Sequence, residues 1–129
     1  MSGRKTLIDT SAWIEALRVD GNPDVRAAVR DMTAEGDAVL CDMVLLELWN
    51  GARGAAEHRM LRDLETELEC VPTTEEVWRL AIETGRMCRT KGVTVPATDL
   101  LIYACARHHD LELMHVDDDF DKIAVAAER

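Results

Sequence analysis

The sequence predicts an α/β fold in which a central, mainly parallel sheet lies between two layers of helices. Three observations lead there. Short apolar runs suited to strands alternate with longer stretches whose apolar residues recur at helical spacing. The segments between successive strands are far longer than a hairpin turn, as parallel pairing requires. Two of the strand-like runs end on an aspartate, Asp9 and Asp117, at the carboxyl edge where parallel sheets hold their ligands.

Residues 4–9 read as a first strand closed by Asp9, and the hydroxyls of Thr10 and Ser11 suit the cap of a helix carrying Trp13, Ile14 and Leu17. After Gly21-Asn22-Pro23, the spacing of Val25, Ala28, Val29 and Met32 predicts a helix that Gly36 ends. Residues 38–41 form a second strand. Asp42 is placed to cap a helix with Val44, Leu45, Leu48 and Trp49 on its apolar side, stopping near Gly51 or Gly54, and residues 55–68 are again amphipathic. A short extended piece, 69–72, leads to the acid-rich helix start Thr73-Thr74-Glu75-Glu76 and to Val77, Trp78, Ala81 and Ile82, with Gly92 as the stop. Residues 97–108 are apolar nearly all round and predict a central helix. Residues 111–116 read as a buried strand running into Asp117-Asp118-Asp119 and a last helix. There is no repeat, low-complexity tract or linker, so residues 1–129 are expected to form one domain.

A chain of 129 residues buries roughly two-thirds of its unfolded surface, enough for one core. The longest apolar runs, such as 43–46, are too short for a membrane span, and the basic N-terminus leads to no secretion-type apolar region, so the expected location is the cytoplasm. Cys41, Cys70, Cys88 and Cys105 are widely spaced among apolar neighbours, without a C-x-x-C, and read as reduced core thiols. The formal charge of −10 argues against a protein that coats nucleic acid by neutralising phosphates, but it is compatible with an enzyme that recruits divalent cations.

With 25 acids in the chain, position must separate functional carboxylates from solvated ones. Asp9 interrupts an apolar strand, Glu47 lies between Leu45-Leu46 and Leu48-Trp49, Asp99 precedes Leu100-Leu101-Ile102, and Asp117 closes the strand 113–116. An unpaired charge in such surroundings costs several kcal/mol, on the order of 2–7 even for a neutral polar group. Their flanks offer no cationic partner other than Arg53, expected on the Glu47 helix. A divalent metal fits better, and all-oxygen ligands favour Mg²⁺ or Mn²⁺ over zinc.

These residues also carry a resemblance. Leu7-Ile8-Asp9-Thr10-Ser11-Ala12-Trp13, Glu47-Leu48-Trp49-Asn50-Gly51, Pro96-Ala97-Thr98-Asp99 before Leu100-Leu101-Ile102, and Asp117-Asp118-Asp119-Phe120 together resemble the PIN-domain ribonucleases, specifically the VapC toxins of bacterial VapBC toxin–antitoxin pairs. The likeness spans nearly the whole chain in order. It implies a three-layer α/β/α PIN-like fold whose acidic pocket holds Asp9, Glu47, Asp99 and Asp117, with Asp119 accessory. It further implies metal on Asp9, Asp99 and Asp117 with Glu47 positioning water or a second ion, and Thr10 or Ser11 orienting a ligand or a carboxylate. The activity implied is endoribonucleolytic cleavage of transfer or ribosomal RNA by metal-activated water, leaving a 5′-phosphate. The partners implied are a cognate VapB-type antitoxin and a second copy of the chain. One departure is His115, where relatives often carry a hydroxyl residue two positions before the fourth acid.

Other features have plainer readings. His115 suits a hydrogen-bonded structural residue, and His108-His109 a helix end that favours positive charge, since adjacent helical residues do not face one another. Trp13, Trp49 and Trp78 fall on apolar helical faces and suit core or subunit contacts rather than base stacking. Arg86 and Arg89, with Lys91, form the densest basic stretch and are candidates for substrate contact. No P-loop or dinucleotide fingerprint occurs, and an aspartyl-phosphatase pattern would need an Asp where Ser11 stands. Two competing readings remain: a non-catalytic module binding a basic peptide in its acidic pocket, and a metal-dependent nuclease acting on DNA.

Overall fold

A computed structural model describes residues 4–128. The elements follow in the order β1 (Thr6–Ile8), α1 (Thr10–Leu17), α2 (Pro23–Ala34), β2 (Ala38–Cys41), α3 (Asp42–Gly51), α4 (Gly54–Glu67), β3 (Glu69–Val71), α5 (Glu75–Thr90), α6 (Ala97–His108), β4 (Glu112–Met114) and α7 (Asp118–Ala127). The sheet has the order β3-β2-β1-β4 and every pairing is parallel, with Thr6 opposite Ala38 on one side of β1 and Ile8 opposite Met114 on the other. Helices cover both faces, giving three layers.

The strand order reverses at β1. The chain first steps outward through β2 and β3, then returns across the sheet to lay β4 on the far side of β1. Crossovers keep one hand, so the returning connection puts α5 and α6 on the face opposite α1. This reversal opens a crevice at the carboxyl ends of β1 and β4. Asp9 and Asp117 leave the sheet on either side of it.

The core explains why these segments hold. Leu7 and Ile8 of β1 and residues 38–41 of β2 are buried, as befits the two inner strands of the sheet. In α6 an unbroken run from Leu101 to Ala106 is buried with Ile102 fully inaccessible, in keeping with a central helix packed by α5, α7 and α3. Trp13 anchors α1 in the same core.

Four local expectations change. Asp9, not Thr10 or Ser11, caps α1, because its carboxylate accepts from Ser11 N while the two hydroxyl residues lie inside the first turn. Cys41 holds the cap position of α3, and Asp42 turns instead to Thr73, accepting from its amide at 3.1 Å and its hydroxyl at 2.7 Å. The strand expected as buried, β4, is an edge strand with Glu112 exposed and Leu113 and Met114 half-buried, because only β1 lies beside it. Arg53 falls outside the Glu47 helix, between α3 and α4. Among the cysteines, Cys41, Cys88 and Cys105 are buried free thiols, while Cys70 is exposed beside Asp42.

The α1–α2 turn depends on a close approach. Gly21 donates its amide to the Arg18 carbonyl, and a Cβ there would lie 1.8 Å from the Glu15 carbonyl oxygen. Gly21→Ala is therefore expected to destabilise the protein by about 1–3 kcal/mol, the usual range for forced overpacking. Urea denaturation checks this: the midpoint should fall with an unchanged slope, and a wild-type midpoint would contradict the packing described.

Candidate active site

Each acid of the crevice is delivered by a different element. Asp9 follows β1, is 3% exposed, and its Oδ2 accepts from Ser11 N at 2.9 Å and Ser11 Oγ at 2.6 Å. Asp9 N in turn donates to Met114 O, continuing the β1–β4 ladder one step past the strand. Asp117 follows β4 and caps α7, its Oδ1 accepting from Asp119 N at 2.9 Å. Asp99 lies in the first turn of α6 and is 8% exposed. Three helix N-termini thus supply acids to one place, where their partial positive ends favour negative charge.

Asp99, Asp117 and Asp119 each offer a carboxylate oxygen, all within 4.8 Å of one another. Asp119, expected only as an accessory, is therefore one of the closest three. Asp99 Oδ2 is buried and has no hydrogen-bond partner. Burial, followed by the charges of Asp117, Asp9, Asp119 and Glu47, pushes the Asp99 carboxyl up to about 7. The other four acids singled out in the sequence thus all act on Asp99, while Asp9 and Glu47 lie outside the closest three. The donor set, carboxylate oxygens with one orphaned and buried, fits a hard divalent cation.

Glu47 faces this cluster from α3, and Thr10 Oγ1 donates to its Oε1 at 2.6 Å. Beside that pair opens a cleft of about 300 Å³ lined mainly by apolar side chains, among them Ile14, Leu17, Leu48 and Met60. The sequence reading missed this cleft: its walls come from α1, α3 and α4, and their individual periodicities do not reveal which faces converge.

Other candidates fall elsewhere. Gly85 of α5 packs against Leu100, one residue beyond Asp99, so Arg86 stands on the turn that flanks the start of α6. Arg86 and Arg89 are exposed and form no ion pair among the described residues. The cation nearest the acids is Lys122, whose Nζ lies 3.7 Å from Asp119 Oδ1, an i,i+3 pair that the sequence could have revealed. His115 tilts against Phe120 with ring centroids 5.0 Å apart, and its Nδ1 is buried without a partner. His108 and His109 end α6, with His109 Nε2 bonded to Pro72 O. Trp13 is core, Trp49 donates to Glu65, and Trp78 is half exposed on α5.

Residues 6–126 match the family model described as the PIN domain. The chain belongs to the PIN-domain family. Ribonuclease VapC21 of Mycobacterium tuberculosis (strain ATCC 25618 / H37Rv) is 35% identical over 121 residues, covering 92% of this chain and 85% of that protein. A structure of FitAB bound to an IR36 DNA fragment superposes with a TM-score of 0.77 at 23% identity, covering 94% and 92% of the two chains. A toxin–antitoxin complex from Klebsiella pneumoniae gives a TM-score of 0.69 at 16% identity, covering 88% of each chain. The PIN-domain fold and the VapC resemblance read from the four sequence segments are thereby established.

The raised Asp99 has a measurable consequence in this PIN domain. An unfolded aspartate titrates near about 4, whereas Asp99 in the fold titrates at about 7. Between those values the folded state holds a proton that the unfolded chain has lost. Stability of the metal-free protein should therefore fall as pH rises from about 4 to about 7 and then level off, as far as this group is concerned. Asp99→Asn should flatten that interval in denaturation curves recorded with chelator present; equal slopes in the two proteins would exclude Asp99 as the source.

Proposed function

We propose that the chain is a divalent-metal-dependent endoribonuclease toxin of a type II toxin–antitoxin pair. The observation that carries the reading is the cluster of one carboxylate oxygen each from Asp99, Asp117 and Asp119 within 4.8 Å of one another, on an Asp99 side chain whose buried Oδ2 has no hydrogen-bond partner, an arrangement that is repulsive alone and relieved by a cation. The family membership and the ribonuclease name of a relative at 35% identity support RNA as substrate. Asp99, Asp117 and Asp119 would hold Mg²⁺ or Mn²⁺, and Asp9 would add its Oδ1, since its Oδ2 already accepts two hydrogen bonds. An ion bound there would ligate phosphate oxygens, acidify a water and stabilise the departing oxygen.

The protein's own groups then have distinct tasks. Glu47, fixed through one oxygen by Thr10, keeps the other to orient the attacking water and take its proton. In-line attack at phosphorus leaves a 5′-phosphate and a 3′-hydroxyl, with transfer or ribosomal RNA as the proposed target class. Arg86 and Arg89, exposed beside the start of α6, are proposed to meet the RNA backbone away from the cut. The apolar cleft next to Glu47 and the acidic pocket together suit an amphipathic, basic antitoxin segment, and the fold-level likeness to a toxin–antitoxin complex is consistent with such a partner. A homodimer located in the cytoplasm completes the proposal.

Incubation with total RNA and with single-stranded DNA tests it. Cleavage of RNA is expected with Mg²⁺ or Mn²⁺, should stop with chelator, and should fall by at least about 100-fold in Asp9→Asn and Asp99→Asn, given that even residues supporting a metal ligand contribute about 10–100-fold. Full activity in chelator or in both variants overturns the mechanism, and cutting of DNA alone favours the DNA nuclease. Tight capture of a basic peptide with no cleavage at any metal concentration favours the binding module.

A further inference from the structure

The structure assigns Ser11 a positioning role: we propose that its hydroxyl is a strut that sets Asp9 relative to Asp117, and that it does not bind the substrate. This rests on the metal-dependent reading above and deepens it. Ser11 Oγ donates to Asp9 Oδ2 at 2.6 Å and accepts from Val116 N at 3.1 Å. Val116 is 105 residues distant in sequence and is the residue immediately before Asp117. One side chain therefore joins the acid leaving β1 to the turn that carries the acid leaving β4.

The arithmetic of the hydroxyl decides its role. A serine hydroxyl has a single proton and two acceptor lone pairs. Here the proton goes to Asp9 and one lone pair receives the Val116 amide, so no donor remains for a phosphate oxygen. The free lone pair can only accept, which the phosphate oxygens of a substrate cannot use.

The neighbouring bonds show what the strut alone contributes. Without the hydroxyl, Asp9 would still accept from Ser11 N, and Asp117 would still accept from Asp119 N. Both helix caps survive, as does the backbone bond from Asp9 N to Met114 O, and what is lost is the side-chain link between the Asp9 carboxylate and the turn that carries Asp117. The separation of the two carboxylates would then be less tightly set, and a cation with fixed ligand distances is sensitive to that.

The test compares Ser11→Ala, Ser11→Thr and Ser11→Val, the last two nearly equal in shape but differing in the hydroxyl. Mn²⁺ affinity is measured without RNA by calorimetry or electron paramagnetic resonance. Exchange of the Val116 amide is followed by NMR in the metal-free proteins. Ser11→Ala and Ser11→Val are expected to bind Mn²⁺ about 10-fold more weakly and to exchange the Val116 amide faster, whereas Ser11→Thr recovers both. Wild-type affinity in Ser11→Ala, or equal affinity in the Thr and Val proteins, overturns the strut. Loss of folding in Ser11→Ala also counts against it, since the local caps should suffice. Absence of Mn²⁺ binding by the wild type overturns the metal reading itself, a result distinct from any of these.

Discussion

The interaction on which the rest of this structure depends is repulsion among carboxylates gathered in a partly dry crevice. Two such charges about 4 Å apart oppose each other by roughly 4 kcal/mol at an effective dielectric near 20. Asp99 carries most of that strain because it is buried beside four other acids and one of its oxygens has no donor. Its helix does not yield, since the turns that follow it bury Leu101, Ile102, Tyr103 and Ala104 in the core. The apolar run that fixes α6 is thus also what holds an acid where solvent cannot relieve it.

The topology distributes the remaining acids so that each is held locally before it is held collectively. Asp9 and Asp117 cap the helices they precede, Glu47 is pinned by Thr10, and Asp119 lies one turn from Lys122. A donor on one oxygen fixes the carboxylate in place while leaving the other oxygen available. Asp99 is pushed up to about 7 first by its burial and then by the charges of Asp117, Asp9, Asp119 and Glu47, and its buried Oδ2 has no donor to offset them. The site is therefore asymmetric: Asp9, Asp117 and Glu47 are hydrogen-bonded in place, whereas Asp99 holds its proton up to about pH 7 unless a cation displaces it.

Much of this was legible in the sequence for a physical reason. An acid inside an apolar run is costly unless compensated, so Asp9, Glu47, Asp99 and Asp117 could be separated from the other acids by their neighbours alone. The alternation of strand and helix patterns likewise carries fold class, because parallel pairing demands long crossovers. Features that depend on strand order or on distant partners were not legible. Residues 111–116 look buried, yet the strand lies at the sheet edge, a fact set by where the chain returns rather than by its own residues. Asp42 resembles a helix cap, but Thr73, 31 residues away, supplies better-placed donors. Asp119 could be named from the resemblance only as an accessory acid; that it lies among the closest three follows from where α7 begins after β4.

The net charge of −10 looks unsuited to a polyanionic substrate, and the site's arrangement resolves the difficulty locally. Long-range steering depends on summed charge and is damped over a Debye length, roughly 8 Å at physiological salt. Contact with phosphate depends instead on the few groups at the crevice, and there the acids call for positive charge of their own. Asp99, Asp117 and Asp119 could meet that demand by holding a divalent cation, which when bound would also attract phosphate oxygens. A basic side chain of a protein partner would relieve the same repulsion. On the proposed function, occupation by the first would favour binding of a phosphodiester and occupation by the second would oppose it, so the same repulsion would bear on both activity and its suppression.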